Sequence, residues 1–207
     1  MAHMGKVVLL TGAPATGKST LRRALSERIP NLRAFDYGQL LMERKADQGI
    51  KLRYDQLRRR SSAVIEPTDV ASLDERVVAG VRGLRRTMHV LIDSHAVTRE
   101  VYGFRAIPFS LDRLRRLRLD AVLVLRCDPR CLVERIRERA EGRQDVTVEL
   151  AREHQALQAG LGLTYAVACG CPAYILDTTS TDESGVVDAA CEILAAVGIG
   201  LRPTKRP

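Results

Sequence analysis

Short apolar runs and longer amphipathic stretches alternate along this chain from end to end. Residues 6–11, 33–35, 88–92, 120–126 and 173–176 read as strands, and four of these are near-continuous apolar runs. Strands without polar alternation are buried on both faces, which is the habit of parallel sheets. Between them, apolar residues recur at helical spacing over roughly 17–28, 37–49, 68–87, 129–141, 147–169 and 184–197. The alternation predicts an α/β fold, a five-stranded parallel sheet with helices on both faces. Asp128-Pro129 and Thr181-Asp182 are natural helix starts, because Asp and Thr cap and proline fits the first turn. No repeat or linker divides the pattern, so residues 5–207 are expected to form one domain. Two arginine-rich stretches, 51–60 and 135–143, interrupt it and suit flaps over a site.

Composition narrows the classes. The chain has 207 residues, 45% of them hydrophobic and 28% charged, which suits a folded domain. Its apolar runs fall far short of the roughly 20 residues that cross a bilayer, so no membrane partner is expected. The cysteines at 127, 131, 169, 171 and 191 form no pair of Cys-x-x-Cys units, and no charged start leads into an apolar leader. A reduced, cytoplasmic protein is expected. Met1-Ala2-His3-Met4 reads as an expression scar. Lys and Arg number 33 against 25 Asp and Glu, a net charge of +8, which favours phosphates, nucleotides or nucleic acid as partners. Only five of the basic residues are lysine, so the arginine excess is equally open to a reading as compositional bias.

The chemistry is concentrated after the first strand. Gly12-Ala13-Pro14-Ala15-Thr16-Gly17-Lys18-Ser19-Thr20 matches G-x-x-x-x-G-K-[ST] between a strand and a helix. This is a phosphate-binding loop: glycines let the backbone curl its N–H groups inward, and the helix N-terminus adds partial positive charge. Lys18 is placed for the β/γ-phosphates and Ser19 for Mg²⁺. Such a loop needs a carboxylate at the end of a neighbouring buried strand to hold the metal's water shell. Asp93, closing Val90-Leu91-Ile92-Asp93, supplies it. His95, two residues on, stands either to meet a phosphate or to make only local hydrogen bonds.

Transfer between two phosphates requires a second anion site and closure over it, and no general base, since the attacking oxygen is already charged. Arg58, Arg59 and Arg60 form one cationic cluster; Arg135, Arg137, Arg139 and Arg143 form another. Arginine suits the task through its planar, bidentate grip on phosphate oxygens. Taken one at a time, each of these side chains is also compatible with a solvated charged face.

Taken together, the segments resemble the archaeal-type adenylate kinases and their small nuclear relatives over nearly the whole chain. The loop corresponds to that family's G-x-P-G-x-G-K-T-T, with Ala15 in place of a glycine. Asp36-Tyr37-Gly38 is similar to its N-[FY]-G, whose backbone lines the monophosphate site, and Asp55-Gln56-Leu57-Arg58 to its D-Q-M-R, whose arginine grips the acceptor phosphate. Ile92-Asp93-Ser94-His95 resembles V-D-T-H. Tyr102-Gly103-Phe104-Arg105-Ala106-Ile107-Pro108 matches G-Y-L-P-G-L-P in part, one residue shorter and with an arginine where none is usual. Val124-Leu125-Arg126-Cys127-Asp128 is nearer the nuclear branch. Arg143-x-Asp145 and Glu153-His154-Gln155 follow the family's R-D and E-H-Q.

The resemblance implies a P-loop NTPase fold with an acceptor-binding segment at about 36–66 and a short lid at about 135–147. It implies a cytoplasmic kinase using ATP and Mg²⁺ to phosphorylate a nucleoside monophosphate, AMP first. Lys18 and the loop amides would hold the donor, Arg58 the acceptor, and Arg139 and Arg143 the transferred phosphoryl group; Asp36, Tyr37, Gly38, His95, Gly103, Phe104 and Arg105 would border the acceptor. His154 is expected to be structural, and the donor base to lie near 178–182. The family's archaeal members are often trimers, so a homo-oligomer is implied, although periodicity selects no partner face. Two rivals stand beside this reading: a kinase for another nucleotide, nucleoside or metabolite, and an assembly ATPase that binds RNA or protein. Arg113, Arg115, Arg116 and Arg118 would be the RNA face of the second; read as a solvated helix surface, they imply no tight nucleic-acid complex.

Overall fold

The computed structural model describes residues 4–51, 53, 56, 61–138, 146–180 and 182–202. Its main sheet contains β1 (Val7–Gly12), β2 (Leu32–Asp36), β3 (His89–Asp93), β6 (Ala121–Arg126) and β7 (Ala173–Asp177), in the order β2-β3-β1-β6-β7. Every pairing is parallel. These are the five strands expected from the apolar runs, with bounds shifted by a residue or two.

Alternation along β1 divides the core. Val7 and Leu9 pack on one face with Val90, Ile92, Val122 and Val124, under helices α4 (Pro67–Leu84), α5 (Leu111–Leu117) and α7 (Val148–Cys169). Val8 and Leu10 point to the other, beneath α1 (Lys18–Arg28) and α8 (Glu183–Ala196). Each fully buried leucine contributes about 1.5–3 kcal/mol relative to exposure, so the two apolar layers fix which face each helix covers. The remaining helices are α2 (Tyr37–Asp47), which follows β2, α3 (Ser61–Val64), and α6 (Pro129–Glu138), which follows β6.

Helix boundaries follow side-chain chemistry. Asp36 caps α2 by accepting from Gln39 N at 3.1 Å, Ser110 caps α5, Thr147 caps α7 and Asp182 caps α8. Pro67 opens α4 inside a reciprocal capping box of Glu66 and Asp69. Gly170, at φ 64°, ends α7.

Two elements depart from the expected pattern. An antiparallel hairpin, β4 (Val97–Glu100) with β5 (Gly103–Ala106), occupies what the sequence reads as loop. Helix α5 underlies the arginine run, burying Leu114 and Leu117 beneath it.

Candidate active site

Three strand ends meet at the centre of the sheet. The chain leaves β1 through Gly12, whose Cβ position would lie 2.7 Å from Leu125 O and 2.8 Å from Thr16 Oγ1, so the turn admits only glycine. Gly17, at φ 92°, begins α1 with no side-chain cap. Its open first turn faces the cavity with Ser19 and Thr20. Thr16 is buried and donates to Ala13 O at 2.8 Å, bracing the loop from below. Lys18 folds back over it, Nζ lying 2.6 Å from Gly12 O and 3.1 Å from Ala13 O.

Ala15 is the strained member. It holds φ 67°, a conformation an L side chain adopts at a cost of about 1–2 kcal/mol. This is the position where the resembled family carries glycine. Ala15→Gly is therefore expected to raise the thermal midpoint by roughly 2–4 °C, and a lower midpoint in a melting curve would show that the loop is not strained there.

Register brings two carboxylates together beside this loop. Asp36 and Asp93 are Cα partners at the ends of β2 and β3, and Arg22 from α1 bridges them, Nη2 at 2.8 Å from Asp36 Oδ2 and Nε at 3.2 Å from Asp93 Oδ2. Asp93 is buried. Burial raises its carboxyl above the ordinary range; Lys18 opposes this, Asp36 adds to it, and Arg22 opposes it again. Asp93 so placed, with the Ser19 hydroxyl on the same cavity, is a hard-oxygen donor set that fits Mg²⁺.

A cavity of about 490 Å³ runs along the C-terminal edge of the sheet, past the loop. Toward β6 and β7 it is lined by Leu132, Arg135, Ile136, Thr178, Ser180 and Val187. Here Thr178 Oγ1 donates to Thr16 O at 2.9 Å, and Arg135 Nη2 to Thr178 O at 2.7 Å, so the segment after β7 is tied to the loop. Toward β2 and β3 the lining is Tyr37, Leu41, Ile65, Val70, Asp74 and Phe109, with Arg99 and Arg105 from the hairpin. Arg105 Nη2 donates to Ile65 O at 3.1 Å.

The hairpin is anchored by α7. Val97 N donates to Gln158 Oε1 at 3.1 Å, and Val97 O accepts from His154 Nε2 at 3.0 Å. Gln158 Nε2 also reaches Thr11 Oγ1 at 2.8 Å, linking the hairpin to the end of β1. Burial lowers the His154 pKa, and the ring packs 5.1 Å from that of Phe104.

Of the residues singled out in the sequence, Pro14, Ala15, Gly17, Lys18, Ser19, Thr20, Asp36, Tyr37, Gly38, Asp93, His95 and Arg105 border this one cavity. Gly12, Ala13 and Thr16 frame the loop behind it. Gly103 and Phe104 belong to the hairpin but are not among the lining residues, Gly103 turning at φ 131°. Arg58, Arg139 and Arg143 lie outside the described residues. Arg135, one of the second arginine cluster, also borders the cavity, whereas Arg22, Asp74, Arg99 and Gln158 escape sequence reasoning as site residues. Asp74 alone left a legible signal, a carboxylate in the apolar stripe that continues through Val77, Val78 and Val81.

Residues 11–152, which include the loop, Asp36, Asp93 and the hairpin, match the AAA domain family model. The chain belongs to the AAA domain family. This AAA domain is 24% identical to the adenylate kinase of Thermococcus kodakarensis over 197 residues, 94% of this chain and 96% of that protein. It is 25% identical to the adenylate kinase of Methanoculleus marisnigri over 174 residues, 81% and 87% of the two chains. In fold it is similar to the tunicamycin resistance protein of Deinococcus radiodurans, with a TM-score of 0.54, 17% identity, and coverage of 96% and 99%. The architecture is the α/β P-loop NTPase fold, and the protein is a kinase-like member of it. Among the described residues no helix is long and apolar enough to cross a membrane.

Proposed function

We propose that the protein is an ATP–Mg²⁺-dependent phosphotransferase whose acceptor is a nucleoside monophosphate, AMP first. The observation that carries the reading is the position of the phosphate-binding loop midway along one cavity, with a lobe on either side of it. The lobe by Thr178 and Ser180 suits the donor base and the lobe by Tyr37 and Phe109 suits the acceptor. The distant adenylate kinase relatives support the same assignment.

In this mechanism the loop N–H groups hold the donor phosphates, and Lys18 swings from the Gly12 and Ala13 carbonyls onto the β/γ oxygens. Ser19 and Asp93 would hold Mg²⁺, which when bound offsets phosphate charge. Arg22 bridges Asp93 and Asp36 and offsets their mutual repulsion. Arg58 binds the acceptor phosphate, whose oxygen attacks the γ-phosphorus as the bond to the β-phosphate oxygen breaks. Arg139 and Arg143 neutralise the charge on the moving group, and closure over it keeps water from competing.

The reading is tested by following ADP production from Mg²⁺–ATP with and without AMP, CMP, GMP, UMP and dTMP. One monophosphate is expected to raise turnover by orders of magnitude; slow hydrolysis indifferent to all five would overturn it. A hydroxyl-bearing acceptor is a second reading, favoured by Asp36, a carboxylate where the resembled family has asparagine. In that case nucleosides, rather than monophosphates, would stimulate the same assay. The arginine face on α5 lends no weight to an RNA-binding role: Arg113 and Arg116 are each drawn to Glu75 at 3.0 Å.

A further inference from the structure

The acceptor lobe proposed above is apolar apart from a few groups, and one of them is deeply placed. Asp74, 2% exposed, projects from α4 beside Leu73 and above Val77 and Val78. Its Oδ1 accepts from the Tyr37 hydroxyl at 3.0 Å. Among the described residues, Oδ2 has no hydrogen-bond donor, and its nearest cation is Arg113 Nη1 at 3.9 Å, beyond hydrogen-bonding reach. Arg113 is committed elsewhere, its Nε lying 3.0 Å from Glu75 Oε1. A carboxylate on an almost wholly covered residue, with one oxygen lacking a donor and the residue bordering the cavity, is satisfied best when a ligand in that cavity brings the donor. Both Asp74 and the rings that frame it, Tyr37 and Phe109, border the cavity. The two rings meet edge to face at 5.5 Å, and Phe109 N donates to the Tyr165 hydroxyl at 3.1 Å, which ties the frame to α7.

We infer that Asp74 selects the acceptor: Oδ2 accepts a hydrogen bond from an amino-bearing nucleobase whose ring lies against Phe109, Ile65 and Val70. The inference rests on the phosphotransferase reading and narrows its substrate class. Adenine, cytosine and guanine each turn an exocyclic amino group outward. Uracil and thymine offer one ring N–H between two carbonyl oxygens, and those oxygens would face the carboxylate. A site built to accept from an exocyclic amino group discriminates strongly against a ligand that lacks one, because its own buried group is left unpaired. Burial raises the Asp74 pKa to about 6, with Tyr37 and Arg113 opposing and Glu75 adding, so the acceptor form predominates at neutral pH.

The test uses the full chain and two variants, Asp74→Asn and Asp74→Leu, with kcat and KM measured for AMP, CMP, GMP, UMP and dTMP at fixed ATP. Wild type is expected to favour at least one amino-bearing acceptor over UMP and dTMP by tenfold or more in kcat/KM. In both variants the acceptor KM for that substrate should rise ten- to a hundredfold while the ATP KM stays within about threefold. Asp74→Asn, whose amide also donates, should in addition gain on UMP or dTMP. A uniform fall in kcat for every acceptor, with unchanged ratios, would make Asp74 merely a structural partner of Tyr37 and overturn the inference. If no monophosphate stimulates turnover, the phosphotransferase reading fails first, and calorimetric titration of adenosine, cytidine, guanosine and uridine decides Asp74 separately. Preference for the amino bases that vanishes in Asp74→Leu would sustain it; equal binding, or none, would end it.

Discussion

Replacing Lys18 with alanine is expected to lower kcat by roughly 10²–10³-fold, the loss that follows removal of one preorganised charge donor from a transition state. Lys18 is the cation that the loop itself supplies. Its ammonium rests on the Gly12 and Ala13 carbonyls at 2.6 and 3.1 Å, both neutral acceptors. Charged phosphate oxygens would draw it off readily, since ionised acceptors bind about twice as strongly as neutral ones. The same geometry predicts that the fold survives the change. Lys18 is only partly buried, and the loop's internal brace runs through Thr16 to Ala13 and through Thr178 to Thr16, without the ammonium. The measurement is therefore a pair: turnover with the best acceptor, and a melting curve. A dead enzyme with a wild-type melt is the expected result. Wild-type turnover would remove Lys18 from the chemistry, and a collapsed melt would mean that the loop depends on it for structure.

The parts of the molecule that were legible in the sequence are those whose signal is local. Val7–Gly12 and Ala121–Arg126 are buried on both faces, and a strand so placed cannot hide its composition. The phosphate-binding loop was legible because each residue does its work within nine positions of the chain. Arg22 was not. It sits on a helix where an arginine reads as solvent-facing, and its partners Asp36 and Asp93 are separated from it by 14 and 71 positions, joined only by strand register. The hairpin was hidden for a related reason. Its strands have four residues each and little core of their own, and they are held by Gln158 and His154 from a helix about 60 residues further on. Two-stranded ribbons are marginal alone, so the sequence that specifies this one lies largely outside it.

The largest effect on stability is expected away from the chemistry, in the buried pair that fastens α2 to α4. Lys45 and Asp69 are 5% and 2% exposed and form an ion pair. Asp69 is the more heavily committed partner. Arg44 Nε and Gln48 Nε2 each lie 3.1 Å from Oδ1, and Glu66 N donates to Oδ2 at 3.0 Å at the start of α4. Burial alone would raise the Asp69 pKa; Lys45 and these other donors outweigh it and hold the carboxyl well below the usual range. A carboxylate depressed on folding adds stability above its unfolded pKa, near 3.9, and gives it up as pH falls through the lower folded value. The contribution is thus whole at neutral pH and fades only in strong acid. Lys45→Ala leaves Asp69 buried with one fewer cation, a change that costs about 3–5 kcal/mol for a buried pair and so at least roughly 6–12 °C in Tm for a chain of this size. Lys45→Met with Asp69→Leu, which removes both charges and keeps the volume, should recover much of that loss, though not the capping contact to Glu66. A single variant that melts like wild type would mean that water reaches the pair. A double variant no better than the single would mean that the polar cluster, and not its charge balance, holds the two helices together.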